Sequence, residues 1–563
     1  MTLREAPLTG LLYSQIGYDR GTAKRAIVRS TEADYLPEDA TFSVQQDGVE
    51  ALRGSVVHWG SCWGSHWWIA DFSELDEAGD YQLHIEVDGE MILSTDVFTI
   101  ALHRLWEETV RIMALDQFEE RAKLALYGKG WKDCGADWRE VCSHAPALIG
   151  LTDLLRFGYE YLGQEDTARL VTQIKHGCDY LIVCQERGTA LGLPAGALVH
   201  EMPNHPVAIP SDQGQAAVAL ARAARFLYEI DPERSMRYLK AAAAAFEYLI
   251  YRAQPYGSTH FSALNHGAPL DYVPTSFMTA DLLQMLWAGV ELVRGGCPQY
   301  KNDVVRLARQ VLARQVPQAQ PEGEFYGHFY TFEDKAFTEK AFAHHHVGHD
   351  TGKMFAYYPV ALLDLVEIMP DHPDVTRWQQ AIRDFAYGYF LPACQKNPFY
   401  LLPMGYFKDQ GLLSFCGPWH GFNVCYGFAA SLAARLELTF DDSTFRDIAV
   451  GNLQWLAGLN AGITPKSFEG CVMWRGTVPE GQAVPHSLIY GIGTRYVETW
   501  TKVPGSVPNG FATNLQFHLE VKPTVENDGP WRFTDEDWIP HAAGWLSALT
   551  YLRMTIRFRD ALE

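Results

Sequence analysis

The chain has 563 residues, 47% of them hydrophobic, so it is long enough to bury large cores and to form two or more globular domains. It has 46 Lys and Arg residues against 68 Asp and Glu residues, and the formal net charge of −22 argues against nucleic acid and anionic membranes as partners. Residues 1–21 lack the basic and apolar regions of a secretory signal, and no apolar run of about 18 residues follows, so a cytoplasmic location is expected. A secreted protein that has lost its signal would begin in the same way.

The 10 cysteines are scattered and form no CxxC pair, so their spacing predicts neither a zinc site nor a redox site. Cys142, Cys178 and Cys184 lie among apolar residues at helical spacing, which favours buried free thiols. No metal and no cofactor is therefore expected, although the sequence leaves a structural calcium ion open.

Residues 1–101 have the pattern of an all-β domain. Short runs such as AKRAIVRS, TFSVQQDG and YQLHIEVDG alternate apolar and polar residues and are separated by Gly, Asp and Pro turns. Several short strands at this spacing are typical of a β-sandwich. The period becomes helical at Leu105, so we expect a domain boundary between residues 101 and 105 and a second, all-α domain over 105–563.

The second domain is expected to contain about twelve amphipathic helices. They begin near Leu105, Ser143, Gln164, Asp212, Pro232, Thr275, Tyr300, Asp350, Pro373, Phe422, Asp441 and Pro540. Twelve helices joined as consecutive hairpins can close into a double ring, six inside and six outside, with alternate loops meeting at one end, where a cleft can form. Long loops over 188–211, 321–349 and 459–536 are candidates for that cleft.

Two loops near opposite ends of the second domain carry acids among aromatic residues. Asp133 and Asp137 lie in GWKDCGADWRE, and Asp535, Glu536 and Asp537 precede the last helix. Turn formation and helix capping account for acids at each loop separately. They do not account for acids and aromatics at both loops, whereas hydrolysis of a glycosidic bond needs one carboxylic acid to protonate the leaving oxygen and one carboxylate to activate water or attack the sugar.

Several segments resemble family 9 glycoside hydrolases, which include cellulases with an N-terminal immunoglobulin-like domain. SQIGYDRGTAKRAIV and ADFSELDEAGDYQLHI resemble that domain, and GWKDCGADWREV resembles the GW-DAGD motif of the family. IKHGCDYLIVCQ, WLAGLNAGITPKSFEG and DEDWIPHAAGWLSAL resemble later stretches, the last of them NEVAINWNAPLVYAL. The resemblance covers nearly the whole chain and implies an immunoglobulin-like sandwich followed by an (α/α)6 barrel.

The resemblance also implies roles for individual residues. Asp137 falls on the catalytic base, Asp133 on a partner that helps to hold the nucleophilic water, and Glu536 on the general acid. His486, in VPHS, falls on a substrate-binding histidine. One extra residue separates the two aspartates, DCGAD for DAGD, so the reverse assignment of Asp133 and Asp137 stays open.

Two departures from the family pattern concern the substrate. Ala542 replaces an Asn, and Leu488 replaces the Arg that usually follows the substrate-binding histidine. Because the His-x-Arg pattern contributes to the sugar-binding surface, its loss weakens the assumption that cellulose is the substrate.

Four further residues are candidates for substrate binding. His349 and Asp350 lie in AHHHVGHDTGK, where His345 and His349 are four residues apart, but no third ligand has a recognisable metal spacing, so a sugar-binding polar loop is favoured over a metal site. Trp419 either stacks on a pyranose ring or packs at a helix start. Arg475 begins the loop to His486, which is expected to reach the cleft.

The sequence thus predicts an inverting hydrolase of β-linked gluco-oligosaccharides, acting on short soluble chains. Inverting enzymes hold their two carboxyl groups about 6.5–9.5 Å apart, which leaves room for water. Two alternatives stay open: a hydrolase of another β-linked sugar, such as a glucosamine oligosaccharide, and a non-catalytic carbohydrate-binding protein with the same fold. The oligomeric state is not predicted.

Overall fold

The structure is a computed structural model. It describes residues 7–126, 128–135, 137, 139–202, 207–255, 276–337, 359–407, 411–415, 423–465, 478–493, 498–511 and 535–560.

The N-terminal part is a sandwich of two sheets. One sheet has the order β1 (Thr9–Leu12), β3 (Arg25–Ser30), β7 (Ser65–Asp71) and β6 (Val57–Cys62), all antiparallel. The other has the order β2 (Tyr18–Asp19), β10 (Phe98–Ala101), β8 (Gly79–Val87), β4 (Thr41–Gln46) and β5 (Val49–Ser55), and β9 (Glu90–Ser94) also pairs with β8. Alternate residues of β8, namely Tyr81, Leu83 and Ile85, are buried, as expected for strands with one face on a core.

Helices follow from Arg104 onwards. The first, α1, runs through Arg104–Arg111, a π-helical turn at Ile112–Asp116 and Gln117–Leu124. The element Val141–Ala190 breaks at Gly163, where φ is 72°, into α2 (141–162) and α3 (164–190). The others are α4 (Pro210–Leu227), α5 (Pro232–Tyr251), α6 (Thr279–Arg294), α7 (Lys301–Leu312), α8 (Val360–Ile368), α9 (Val375–Phe385, continuing through Ala386–Phe390 to Leu391–Cys394), α10 (Asn423–Phe440), α11 (Thr444–Ala457) and α12 (Pro540–Asp560).

The even-numbered helices form an inner ring and the odd-numbered helices an outer ring. Inner helices are buried all round, as α6 is over Thr279–Leu292, whereas the outer helix α7 buries only one stripe of side chains. Within the inner ring α12 packs on α2 and α10, α4 on α2 and α6, and α6 on α8. This is the (α/α)6 barrel that the sequence predicts. Within the described residues, the two ladders after Leu105, β11 (Arg139–Glu140) with β12 (Glu201–Met202) and β13 (Gly405–Phe407) with β14 (Gly411–Leu413), are antiparallel.

A belt of buried polar bonds joins all six inner helices. Ionised side chains in a protein interior need partners at close range, and the belt provides them. Its bonds run from Arg222 to Asp153 and to Glu291 (both 2.8 Å), from Arg435 to Asp364 (2.8 Å), from Arg294 to Asp364 (3.3 Å) and from Ser547 to Asp153 (2.7 Å).

The sandwich packs directly against the barrel. Trp63, at the turn between β6 and β7, stacks on Phe399 with 6.0 Å between ring centroids and 5° between ring planes. Gly10 of β1 lies so close to the loop 478–493 that a Cβ there would overlap the carbonyl of Ala483. The two parts therefore share one apolar interface.

Gln15 fixes the loop that carries His486. Its Nε2 donates to the carbonyl of Pro485 at 3.0 Å, and its Oε1 accepts from the backbone N–H of Ser487 at 2.7 Å. The carbonyl of His486 itself accepts from Asn460 Nδ2 at 2.8 Å. A residue of the sandwich thus holds both neighbours of a candidate site residue in the barrel.

None of the described helices has the length and apolar character needed to cross a membrane. No disulfide joins any of the eight cysteines in the described part of the chain. Cys142, Cys178 and Cys184 are buried, as the apolar surroundings of each predict.

Candidate active site

The loop before α2 carries the first pair of acids, and its first residues, Gly130 and Trp131, are closely packed. Gly130 has φ 89°, and a side chain there would collide with His144 and Tyr180. The backbone N–H of Trp131 donates to His144 Nε2 at 2.9 Å, so the ring proton lies on Nδ1, 2.8 Å from the carbonyl of Glu140. Burial lowers the pKa of His144 to about 3, which keeps the ring neutral.

Asp133 is completely buried on this loop. Its Oδ2 accepts from the backbone N–H of Glu140 at 2.9 Å and from Ser143 Oγ at 3.0 Å. Burial raises the pKa of Asp133, and the negative charges of Glu140 and Glu536 raise it further, to about 8. At neutral pH the carboxyl group keeps its proton, which lies on Oδ1, a buried oxygen with no hydrogen-bond partner among the described residues.

Asp137 lies in a different environment. Its side chain is 57% exposed and pairs with Lys132 Nζ at 3.0 Å. The extra residue in DCGAD thus separates one buried acid from one exposed acid, a difference that spacing could not reveal.

The three acids before α12 also differ from one another. Asp537 is fully buried and is bound by Arg121, at 3.0 Å, and by the hydroxyl and backbone N–H of Thr501. Glu536 is 8% exposed, and its Oε2 accepts from Asn509 Nδ2 at 3.0 Å. Asp537 therefore has a structural role, whereas Glu536 is oriented by a neutral amide.

A chain of hydrogen bonds fixes the orientation of Asn509. The backbone N–H of Val424 donates to His541 Nδ1 at 2.7 Å, so the proton of that ring lies on Nε2. His541 Nε2 then donates to Asn509 Oδ1 at 2.6 Å, which directs the amide nitrogen of Asn509 towards Glu536. The backbone N–H of Asn509 also donates to the carbonyl of Glu536 at 2.7 Å.

Arg121 clamps the two acid loops together. This buried guanidinium donates to the carbonyls of Lys132 (2.9 Å) and Asp133 (3.2 Å), and to the carbonyl (2.8 Å) and carboxylate of Asp537. The backbone N–H of Ile539 adds a bond of 3.0 Å to the carbonyl of Asp133. Loops about 400 residues apart in sequence are thus held as one unit.

Replacing Arg121 by Met should destabilise the protein by about 3–5 kcal/mol, because it leaves the carboxylate of Asp537 buried without its cation. Lys123→Met is the matched control, since Lys123 is 72% exposed on the same helix and its pair with Glu120 contributes about 0–1 kcal/mol. Urea unfolding of both variants measures the difference. Equal stability of the two variants would show that Arg121 does not hold the two acid loops together.

Asp133 should make stability depend on pH. Its pKa rises from 3.8 to about 8 on folding, so its contribution to stability is complete below about pH 4, declines as pH rises and is lost above about pH 8. Asn mimics the neutral carboxyl, so Asp133→Asn should gain stability relative to the wild type between pH 5 and pH 8, by about 4 kcal/mol at most. Calorimetry across this range measures how the stability of each protein depends on pH. A difference in stability between the two proteins that stays constant with pH would contradict the prediction.

His486 is fully buried in the loop that Gln15 anchors. Burial lowers its pKa to about 3, so the ring is neutral. Its role in substrate binding stays a prediction. The other four candidates, Arg475, Trp419, His349 and Asp350, lie outside the described residues.

Sequence reasoning missed the residues that support the acids. Arg121 and Asn509 lie 12 and 27 residues from the acids they hold, and neither has a motif that points to such a role. His541 lies five residues after Glu536, on the first turn of α12, and supports it only through Asn509, a contact that depends on tertiary structure.

Comparisons with known proteins agree with this arrangement. Residues 12–90 match the profile of the cellulase N-terminal immunoglobulin-like domain, and residues 106–465 match that of glycosyl hydrolase family 9. A search of curated protein sequences found no significant match.

Solved structures share the fold over nearly the full length of the chain. A metagenome-derived family 9 endoglucanase is 15% identical, with a TM-score of 0.62 and coverage of 97% of this chain and 99% of its own. A family 9 protein of Bacteroides ovatus is 15% identical, with a TM-score of 0.61 and coverage of 96% and 98%. The family 9 endoglucanase J30 is 16% identical, with a TM-score of 0.61 and coverage of 95% and 99%. Since the family profile spans more than half of the sequence, the chain belongs to glycosyl hydrolase family 9 and is a glycoside hydrolase.

Proposed function

We propose that the protein is an inverting hydrolase of β-linked gluco-oligosaccharides, with Glu536 as the general acid. The observation that carries this proposal is the meeting of the two acid loops, where Arg121 binds both loops and the carboxyl groups of Glu536 and Asp133 interact electrostatically. Glycoside hydrolysis by inversion needs two carboxyl groups on opposite sides of the scissile bond.

The proposed roles follow from the environments of the three acids. A general base must be ionised to take a proton from water, and Asp133, with a pKa of about 8, is protonated at neutral pH. Asp137, exposed and paired with Lys132, is therefore proposed as the base. The Oδ1–H of Asp133 is proposed to donate a hydrogen bond that positions the attacking water. Glu536, held by Asn509, protonates the leaving oxygen.

Two of the similar structures are endoglucanases, which supports a glucan substrate. Leu488 stands where the family usually has Arg, so a charged side chain is missing at this position, which weakens the case for cellulose as the substrate. The discriminating experiment is NMR of the first product formed from cello-oligosaccharides and from glucosamine oligosaccharides. An α-anomer formed from cello-oligosaccharides supports the proposal, whereas a β-anomer contradicts inversion. Turnover of the glucosamine oligosaccharides alone contradicts the proposed glucose substrate.

Asn509→Leu should slow hydrolysis of glycosides with poor leaving groups more than hydrolysis of activated aryl glycosides, since a misoriented acid matters only where protonation is needed. We expect a loss of about tenfold to a hundredfold for the poor leaving groups. Asn452→Leu is the control, because Asn452 is equally buried but bonds to backbone groups around Leu402 and Tyr400. It should lower stability and leave the ratio of the two rates unchanged. An unchanged ratio in Asn509→Leu would argue against positioning.

A further inference from the structure

Three side chains of metal-binding type meet next to the acid loop. They are Glu140 at the end of β11, Cys142 in the first turn of α2 and His200 just before β12, and all are buried. One ligand atom from each lies within 4.8 Å of the others. Cys142 Sγ is 3.5 Å from Glu140 Oε2, and His200 Nε2 is 3.6 Å from Glu140 Oε1. A tetrahedral zinc ion with bonds of about 2.0–2.3 Å separates neighbouring ligand atoms by about 3.3–3.8 Å. The two distances, which involve the two different oxygens of the Glu140 carboxylate, are of this size.

The backbone brings these ligands together before any ion binds. β11 and β12 pair so that Glu140 lies opposite Glu201. The backbone N–H of Val141 donates to the carbonyl of His200 at 2.8 Å, and that of His200 donates to the carbonyl of Val207 at 2.6 Å. Both segments that supply ligands are therefore fixed by main-chain bonds, which reduces the entropy lost on binding.

The orientation of His200 is that of a metal ligand. Its Nδ1 lies 2.6 Å from Oδ2 of Asp212, which is buried in the first turn of α4. A carboxylate accepts a hydrogen bond, so Nδ1 carries a hydrogen, and Nε2 points towards Glu140. Zinc-bound histidines are held by carboxylates in the same way. Burial lowers the pKa of His200, but Asp212 and Glu140 raise it more, to about 10, so a metal ion has to displace the proton on Nε2.

The charge of this region also favours a cation. Glu140, Glu201 and Asp212 are all buried here, next to the neutral carboxyl group of Asp133. The cations among them are His200, when protonated, and Arg139, whose guanidinium lies over the ring of Tyr180 at 5.0 Å. Buried carboxylates are stable when paired with cations or bound to a metal.

We infer that Glu140, Cys142 and His200 bind a zinc ion, with Asp212 orienting the histidine. Binding releases the Cys142 thiol proton and any proton on His200 to solvent, so Zn²⁺ is held by one thiolate, one carboxylate and one neutral imidazole. Water completes the shell. The site borders the acid loop, because the backbone N–H of Glu140 donates to Asp133.

No motif in the sequence predicts this site, and the expectation of no metal rested on the spacing of cysteines and histidines. Its ligands form a Glu-x-Cys pair and a histidine 58 residues later, which match no common zinc motif. Only the pairing of β11 with β12 brings them together.

Metal binding can be measured on the full-length protein without reference to activity. The protein is stripped with a chelator, titrated with zinc, desalted and analysed for metal content. Cobalt is then added in place of zinc, because a thiolate bound to Co²⁺ gives a charge-transfer band in the near ultraviolet. Cys142→Ser and His200→Gln remove ligands, and Cys178→Ser, at a buried cysteine of α3 outside the cluster, is the matched control.

We expect about one zinc per chain in the wild type and in Cys178→Ser, and at least about tenfold weaker binding in the two ligand variants. The cobalt band should be present in the wild type and lost in Cys142→Ser. An absence of stoichiometric zinc in the wild type overturns the proposal and leaves the cluster as an ion pair of a protonated histidine. Zinc binding by Cys142→Ser that is as tight as that of the wild type also overturns the proposal. If that variant folds poorly, the wild-type stoichiometry and its cobalt band decide by themselves.

Discussion

Replacing Glu536 by Gln should reduce kcat/KM by about 10³–10⁴ for oligosaccharides and other substrates with poor leaving groups. An amide cannot give a proton to the leaving oxygen, whereas its shape preserves the contact with Asn509. Dinitrophenyl glycosides need no protonation and should lose less than about tenfold. A series of aryl glycosides with graded leaving groups measures the dependence, which should be steep in the variant and shallow in the wild type.

Glu229→Gln serves as the control for this series, because Glu229 is exposed in the turn that follows α4. It should leave all rates unchanged. A loss in Glu536→Gln that is the same for every leaving group would mean that Glu536 has another role, even if the protein is folded.

Asp137→Asn should lose about 10²–10⁴ in rate, by a similar factor for good and poor leaving groups, because every substrate needs an activated water. Azide is a nucleophile that needs no base, so it should restore part of the rate and yield a glycosyl azide. Product analysis by mass spectrometry identifies that azide.

Asp133→Asn separates the two possible assignments of the pair. If Asp133 only positions the water, its variant should lose less than Asp137→Asn and should not respond to azide. Azide rescue of Asp133→Asn alone would exchange the two roles, and full activity of both variants would end the carboxylate-pair mechanism.

The helical period of the sequence predicted where outer helices begin, because an outer helix buries one stripe of apolar side chains at that period. The predicted starts at Leu105, Gln164 and Pro232 lie within one residue of helices in the structure. Burial was not predictable in the same way. Asp133 and Asp137 are four residues apart in one loop, yet only contacts with Ser143 and Lys132, made after folding, distinguish them.

The residues that support the acids and the proposed metal site could not be predicted from the sequence for a related reason. Arg121 contacts Asp537 across 416 positions, and His200 reaches Glu140 only because two short strands pair. Such contacts depend on tertiary structure, and a single sequence carries no periodic signal for them.

The two hydrogen bonds from Gln15 to the loop of His486 limit how this enzyme can be engineered. A sandwich taken from a relative would have to present an equivalent amide between residues 485 and 487, or the barrel would lose the two bonds that fix this loop. Shuffling libraries that cut the chain near residue 101 should therefore recover active chimaeras only when both parents supply matching contact surfaces. The N-terminal part behaves as a component of the enzyme rather than as a detachable tag.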